Sequence, residues 1–221
     1  MTVFMGEFTV AGKEKTNKRF WDKIAAKYAK QPIADQEAYE HKLKVTAEYL
    51  TPETRMFEFG CGTGSTAILH APNVEHILAV DVSDNMLAIA RDKAREAGIQ
   101  NIDFEQSTIE DFTGRASSFD VVLGMSIVHL LADRKAALAK VHALLKPNGV
   151  FVSSTACLND SMGYLKPFLW LGRTFGKLPF VGFFKKSELI AELREAGFEI
   201  EYEWQPSKGK AIFIVARKSA A

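Results

Sequence analysis

Cysteine is scarce in this 221-residue sequence: there are two, Cys61 and Cys157, far apart. Neither a disulfide framework nor a zinc-ligand spacing can be read from them. A reducing, cytoplasmic setting is therefore expected, with no metal. Charge of one sign is also missing, the net being +1 at pH 7. No broad field draws the chain to nucleic acid or to an anionic bilayer. No run of 18 uninterrupted apolar residues occurs, so no membrane span is expected. The opening residues, Met1-Thr2-Val3-Phe4-Met5-Gly6-Glu7, lack the basic start and long apolar stretch of a secretory signal. There is no internal repeat or low-complexity tract. The chain has the composition of an ordinary globular protein, 47% apolar and 25% charged, and the length for one domain with its own core.

Within that frame the pattern is orderly. Residues 1–16 are expected to be poorly ordered and 17–217 to form a single domain. Phe20, Ile24 and Tyr28 fall on one side of a helix that Pro32 interrupts. Asp35 can cap a second helix that runs to Leu50 and stops at Pro52. Strands are expected at about 55–59, 76–81, 102–106, 119–124 and 150–154. Helices are expected between them at about 64–71, 84–97 (closed by Gly98) and from an Asp133 cap to Leu145. A last helix runs from a Ser187 cap to Ala196. Two final strands, 198–204 and 211–216, are joined closely enough for an antiparallel hairpin. Five alternating strand–helix units imply a doubly wound α/β fold, a parallel sheet with helices on both faces.

The most telling stretch is Glu58-Phe59-Gly60-Cys61-Gly62-Thr63-Gly64, between the first strand and a helix, followed by Asp81 at the end of the second strand. Glycines let a backbone turn sharply and approach a ligand. An acid in the position of Asp81 can accept both hydroxyls of a ribose diol. A dinucleotide fingerprint would need its third glycine at position 65, which is Ser. The pattern is instead E-x-G-x-G-x-G.

In this motif the chain resembles the class I S-adenosylmethionine-dependent methyltransferases. The resemblance covers about residues 55–217 and implies a Rossmann-like seven-stranded sheet. Its strand order would be 3-2-1-4-5-7-6, with strand 7 antiparallel and an N-terminal helical cap over 17–52. It also implies a cofactor, S-adenosyl-L-methionine, with S-adenosyl-L-homocysteine as product. Gly60, Cys61, Gly62 and Gly64 would carry its methionine part, with Glu58 behind the loop, and Asp81 would hold its ribose. Val82, Met86 and Ile109 would lie against the adenine. Thr108 stands where many relatives have an adenine-binding Asp, and it could accept through its hydroxyl. Met125 follows the fourth strand, in a loop that faces cofactor and substrate. Tyr28 would fold over the methionine end, with Phe20 and Trp21 helping to close the lid and Trp21 also a substrate contact.

For the acceptor, a small molecule is expected. Tetrads such as Asp-Pro-Pro-Tyr, which mark nucleic-acid amino-methylating relatives, are missing after the fourth strand, and no nucleic-acid partner is expected. His129 is the candidate base and a substrate contact, because imidazole titrates near neutrality. Residues 158–186 read as a lid-like insertion rich in aromatics, and Trp170 and Phe175 are its candidate contacts to an apolar or lipid-like substrate. A second reading of that insertion is shallow peripheral contact with a membrane surface. Two other functions stay open: transfer of a different group from a related nucleoside, and a non-catalytic cofactor-binding module.

Overall fold

The computed structural model describes residues 10–160 and 178–219, and it contains every expected strand. These are β1 (Arg55–Phe59), β2 (His76–Asp81), β3 (Ile102–Gln106), β4 (Phe119–Met125), β5 (Leu145–Thr155), β6 (Phe198–Trp204) and β7 (Ile212–Lys218). They form one sheet in the order β3-β2-β1-β4-β5-β7-β6. β1 pairs in parallel with β2 (Phe57 opposite Leu78) and with β4 (Phe57 opposite Val122). β7 runs antiparallel to β5, with Val215 opposite Val152. The sheet is thus the doubly wound one that the alternation of elements implies.

Six α-helices are described: α1 (Val10–Ala29), α2 (Gln36–Ala47), α3 (Ser65–His70), α4 (Asp84–Glu96), α5 (Arg134–Leu144) and α6 (Lys186–Glu195). None is long and apolar enough to cross a membrane. Side chains of the central strands alternate between two buried layers, as period-two geometry requires. Phe57, Val122 and Phe151 lie in one layer with Leu138 of α5 and Leu189 of α6. Met56, Val121 and Val152 lie in the other with Val45 of α2, Ala67 of α3 and Leu87 of α4. Burying a large apolar side chain stabilises by roughly 1.5–3 kcal/mol, so both faces anchor the strand ends rigidly. Glu58 follows Phe57, shares the Met56 face, and is carried into the second layer.

Helix α2 ends at Ala47, short of the expected Leu50, and β7 runs on to Lys218. Three further boundaries differ from the sequence reading. α1 begins at Val10, inside the stretch expected to be poorly ordered. Helix α6 starts at Lys186, with Lys185 and not Ser187 at its N-cap. The Glu188 carboxylate accepts the Lys185 N–H at 2.7 Å and that of Asp160 accepts the Lys186 N–H at 2.7 Å. Carboxylates from inside the helix and from a neighbouring turn thus do the work that a capping hydroxyl would do. β5 begins at Leu145, five residues early, because Leu145 pairs with Phe119 before an irregularity restores the register at Val121–Val150. The expected stop at Lys146–Gly149 survives as the left-handed Asn148 (φ 64°).

Candidate functional site

The carboxyl ends of β1, β2 and β4 open onto two adjoining cavities, the position where a sheet of this order changes direction and binds ligands. The smaller, about 140 Å³, is lined by Gly60, Asp81, Val82, Met86, Ile109 and Met125 among others, under Trp21 and Tyr28 of α1. The larger, about 560 Å³, lies toward α2 and is lined by Glu58, Cys61, Gly62, Tyr39, Lys42 and Ser126 among others. Tyr28, Gly60, Gly62, Met125 and Ser126 border both.

The loop between β1 and α3 takes its shape from its glycines. Gly60, Gly62 and Gly64 all have positive φ, where other residues are strained. They differ in what surrounds them. A Cβ at Gly60 would meet Ile127 at 2.5 Å, and one at Gly64 would meet Ala90 at 2.9 Å, whereas at Gly62 nothing lies within 4 Å. Gly64 therefore packs the loop against α4 and β3 and lines neither cavity, while Gly62 faces open space that a side chain would fill.

Asp81 ends β2 and is 9% exposed. Its Oδ2 accepts the Gly62 N–H at 2.9 Å, and its Oδ1 accepts the Ser83 N–H at 2.8 Å. Each oxygen keeps a further lone pair for a ligand hydroxyl. Burial pushes the Asp81 carboxyl above its ordinary range, against these two hydrogen bonds. Glu58 is more perturbed. It is buried, its Oε2 has no hydrogen-bond partner among the described residues, and burial together with the neighbouring Asp81 charge raises it to about 8. Its one stabilising contact is the Ala67 N–H in the first turn of α3. An unpartnered buried carboxyl beside a cavity is costly unless something cationic meets it.

Other candidates fall into place less evenly. Trp21, Tyr28, Val82, Met86, Thr108, Ile109 and Met125 all line the smaller cavity. The Thr108 hydroxyl is engaged locally: it donates to Asp111 Oδ2 and accepts the Asp111 N–H, both at 3.0 Å. It closes a turn, which leaves the expected adenine contact with one spare lone pair. His129 stands apart from these. It lines neither cavity, its Nδ1 is buried without a partner among the described residues, and burial lowers it to about 4. It sits in a short 3-10 turn, Val128–Leu130. Trp170 and Phe175 lie outside the described residues. Among the described residues no cluster of three or more His, Cys, Asp or Glu side chains comes together.

Sequence reasoning passed over several residues. Lys42 of α2 is half-buried, donates to Ser154 Oγ at 3.0 Å, and has no ion pair among the described residues; burial lowers its ammonium. On a helix read from sequence it is an ordinary surface lysine, and only the packing of α2 over the loop makes it part of the larger cavity. Asn17 and Phe180 line the smaller one. Ser126 holds a left-handed backbone (φ 58°), uncommon outside glycine, at the border of both cavities.

The arrangement fits a nucleoside carrying an amino-acid tail. The glycine cradle is open at Gly62, the acid at Asp81 has lone pairs to spare, and among the described residues Glu58 meets no cation and Lys42 no anion. Comparison with known proteins agrees. Residues 56–149 match the family model described as a methyltransferase domain. The chain is 32% identical over 151 residues to the ubiquinone biosynthesis O-methyltransferase of Ruegeria pomeroyi, covering 66% of this chain and 60% of that one. It is 30% identical over 173 residues to the corresponding protein of Cereibacter sphaeroides, covering 76% and 69%. It spans 54% of the length of the uncharacterized methyltransferase YcgJ of Bacillus subtilis. The crystal structure of YcgJ superposes with a TM-score of 0.68 at 19% identity, over 82% of this chain and all of that one.

Proposed function

This chain belongs to the S-adenosylmethionine-dependent methyltransferases, and from that premise we propose that it methylates a small molecule with an apolar body. The observation that carries the reading is the pairing of Asp81 with the Gly60–Gly64 loop. A diol-binding acid is tied by hydrogen bond to the backbone that cradles the tail. Bound there, the sulfonium compound supplies an electrophilic methyl group. The rest falls to the chain. Asp81 takes the ribose hydroxyls, Val82, Met86 and Ile109 enclose the base, Glu58 faces the tail's ammonium, and Lys42 takes its carboxylate. The thioether of Met86 suits an aromatic face. Trp21 and Tyr28 cover the site and exclude water. Ile127, Leu130, Leu131 and Phe180 give the smaller cavity an apolar wall and support an apolar acceptor, as do relatives named for ubiquinone biosynthesis. Trp170 and Phe175 are proposed as further contacts to that acceptor.

The role of these residues is alignment. Holding nucleophile and methyl group in line can lower a barrier by ~7–11 kcal/mol without any proton transfer. A tritium-transfer assay over a metabolite extract tests the reading: radiolabel in an organic-soluble small molecule supports it. Cofactor binding with no transferred label would leave a binding module.

Two substitutions probe the parts. Lys42→Met is expected to weaken S-adenosyl-L-homocysteine about 10- to 100-fold, the worth of one charged hydrogen bond. An unchanged Kd by calorimetry removes Lys42 from the tail. His129→Gln is expected to lower kcat by less than about 10-fold, because the ring lies outside both cavities and is a weak base. A loss of ~100-fold or more, the range for removing a general base, would return His129 to the mechanism.

A further inference from the structure

Helix α1 is fastened to two separate segments that line the smaller cavity. At its middle, the Asp22 carboxylate accepts the Ser83 hydroxyl at 2.7 Å and the Asn85 N–H at 3.3 Å. The Asn85 side-chain amide returns a bond to the Asp22 carbonyl at 3.0 Å. Lys18 adds ion pairs to Asp22 at 3.1 Å and Asp84 at 2.8 Å. Ser83 is fully buried, and its own N–H donates to the Asp81 carboxylate. One buried serine therefore joins α1 to the proposed ribose acid.

Five residues before Asp22, Asn17 Oδ1 accepts the Phe180 N–H at 2.9 Å. Phe180 belongs to the segment leading into α6, which is held on its far side by the Gly182 N–H on the His129 carbonyl at 2.7 Å. Phe180 also faces the cavity, as do Trp21 and Tyr28 of the same helix. A helix is a stiff rod, so the pose that sets Asp22 on Ser83 also sets Asn17 against Phe180.

We propose that α1 carries occupancy of the nucleoside site to the 178–184 segment, with Asp22 and Asn17 as its two positioning residues. The inference rests on the function proposed above. A ligand lying under Trp21 and Tyr28 stabilises the docked pose of α1, and that pose presents Asn17 to Phe180. Coupling of this kind is reciprocal, so an acceptor held by the 178–184 segment tightens the nucleoside in turn.

Amide hydrogen exchange on the full chain tests it, with and without saturating S-adenosyl-L-homocysteine, saturation being set by calorimetry for each variant. In the unsubstituted protein the ligand is expected to slow exchange across 178–184 by about fivefold or more, the lower end of common site-to-site coupling. Asn17→Ala is expected to abolish that slowing, and so is Asp22→Ala. Asn17→Asp keeps the acceptor oxygen and is expected to retain it. Circular dichroism shows whether each variant is folded. Ligand binding without slowing at 178–184, or full slowing in Asn17→Ala, overturns the coupling while leaving the methyltransferase reading intact. Failure of the unsubstituted protein to bind overturns both, and is told apart by the missing heat.

Discussion

Asp81→Ala is expected to weaken binding of S-adenosyl-L-homocysteine by about two to four orders of magnitude while the protein stays folded. Hydrogen bonds to a charged group contribute about 1.5–3 kcal/mol each, and a ribose diol offers two. The same carboxylate holds the Gly62 and Ser83 N–H groups, so the variant also loosens the glycine loop and the start of α4. Asp81→Asn keeps one acceptor oxygen and is expected to lose less, about tenfold. Calorimetry measures both, and an Asp81→Ala variant that binds as the unsubstituted protein does would detach Asp81 from the ligand. Because the ribose acid and the loop are bonded to each other, their losses will not add independently.

Glu58→Gln is expected to have the second-largest effect, with opposite signs for stability and for binding. In the free protein Glu58 is raised from 4.5 to about 8. At neutral pH it is protonated when folded and ionised when unfolded. Its contribution is fully present below about pH 4.5 and is lost as pH rises to about 8. A shift of that size corresponds to about 5 kcal/mol at ~1.4 kcal/mol per pH unit. Gln mimics the protonated acid and does not titrate. The variant should therefore melt higher than the unsubstituted protein at pH 8, with the gap closing toward pH 5. Binding should go the other way. A ligand ammonium that meets Glu58 ionises it, so binding at pH 7 should release a proton, read as a dependence of the heat on buffer ionisation enthalpy. Glu58→Gln should bind about 10-fold or more weakly and release none. Equal melting temperatures at pH 8, or unchanged proton release, would remove Glu58 from this role.

Much of this was legible in the chain. The alternation of apolar runs with capped helices implies the doubly wound parallel sheet, and the strand order comes from the resemblance to the methyltransferase family. The E-x-G-x-G-x-G spacing separates this loop from a dinucleotide fold because Ser65 stands where a third glycine would be needed. What could not be read depends on how elements pack. Lys42 looks like any helix-surface lysine until α2 closes over Glu58. Asp22 follows a tryptophan on an amphipathic helix, and nothing local says that it reaches Ser83, 61 residues away. His129 is adjacent in sequence to Leu130, which lines the smaller cavity, yet it lines neither cavity itself. Thr108 keeps its place at the cavity, yet its hydroxyl closes a turn with Asp111. In each case the residue type was suggestive and the backbone geometry decided its use.

A calorimetric titration of the purified chain with S-adenosyl-L-homocysteine, set beside one with NADH, bears most directly on the site. The account predicts saturable one-to-one uptake of the thioether nucleoside and no specific heat from NADH. Silence toward the nucleoside together with tight NADH uptake would contradict it.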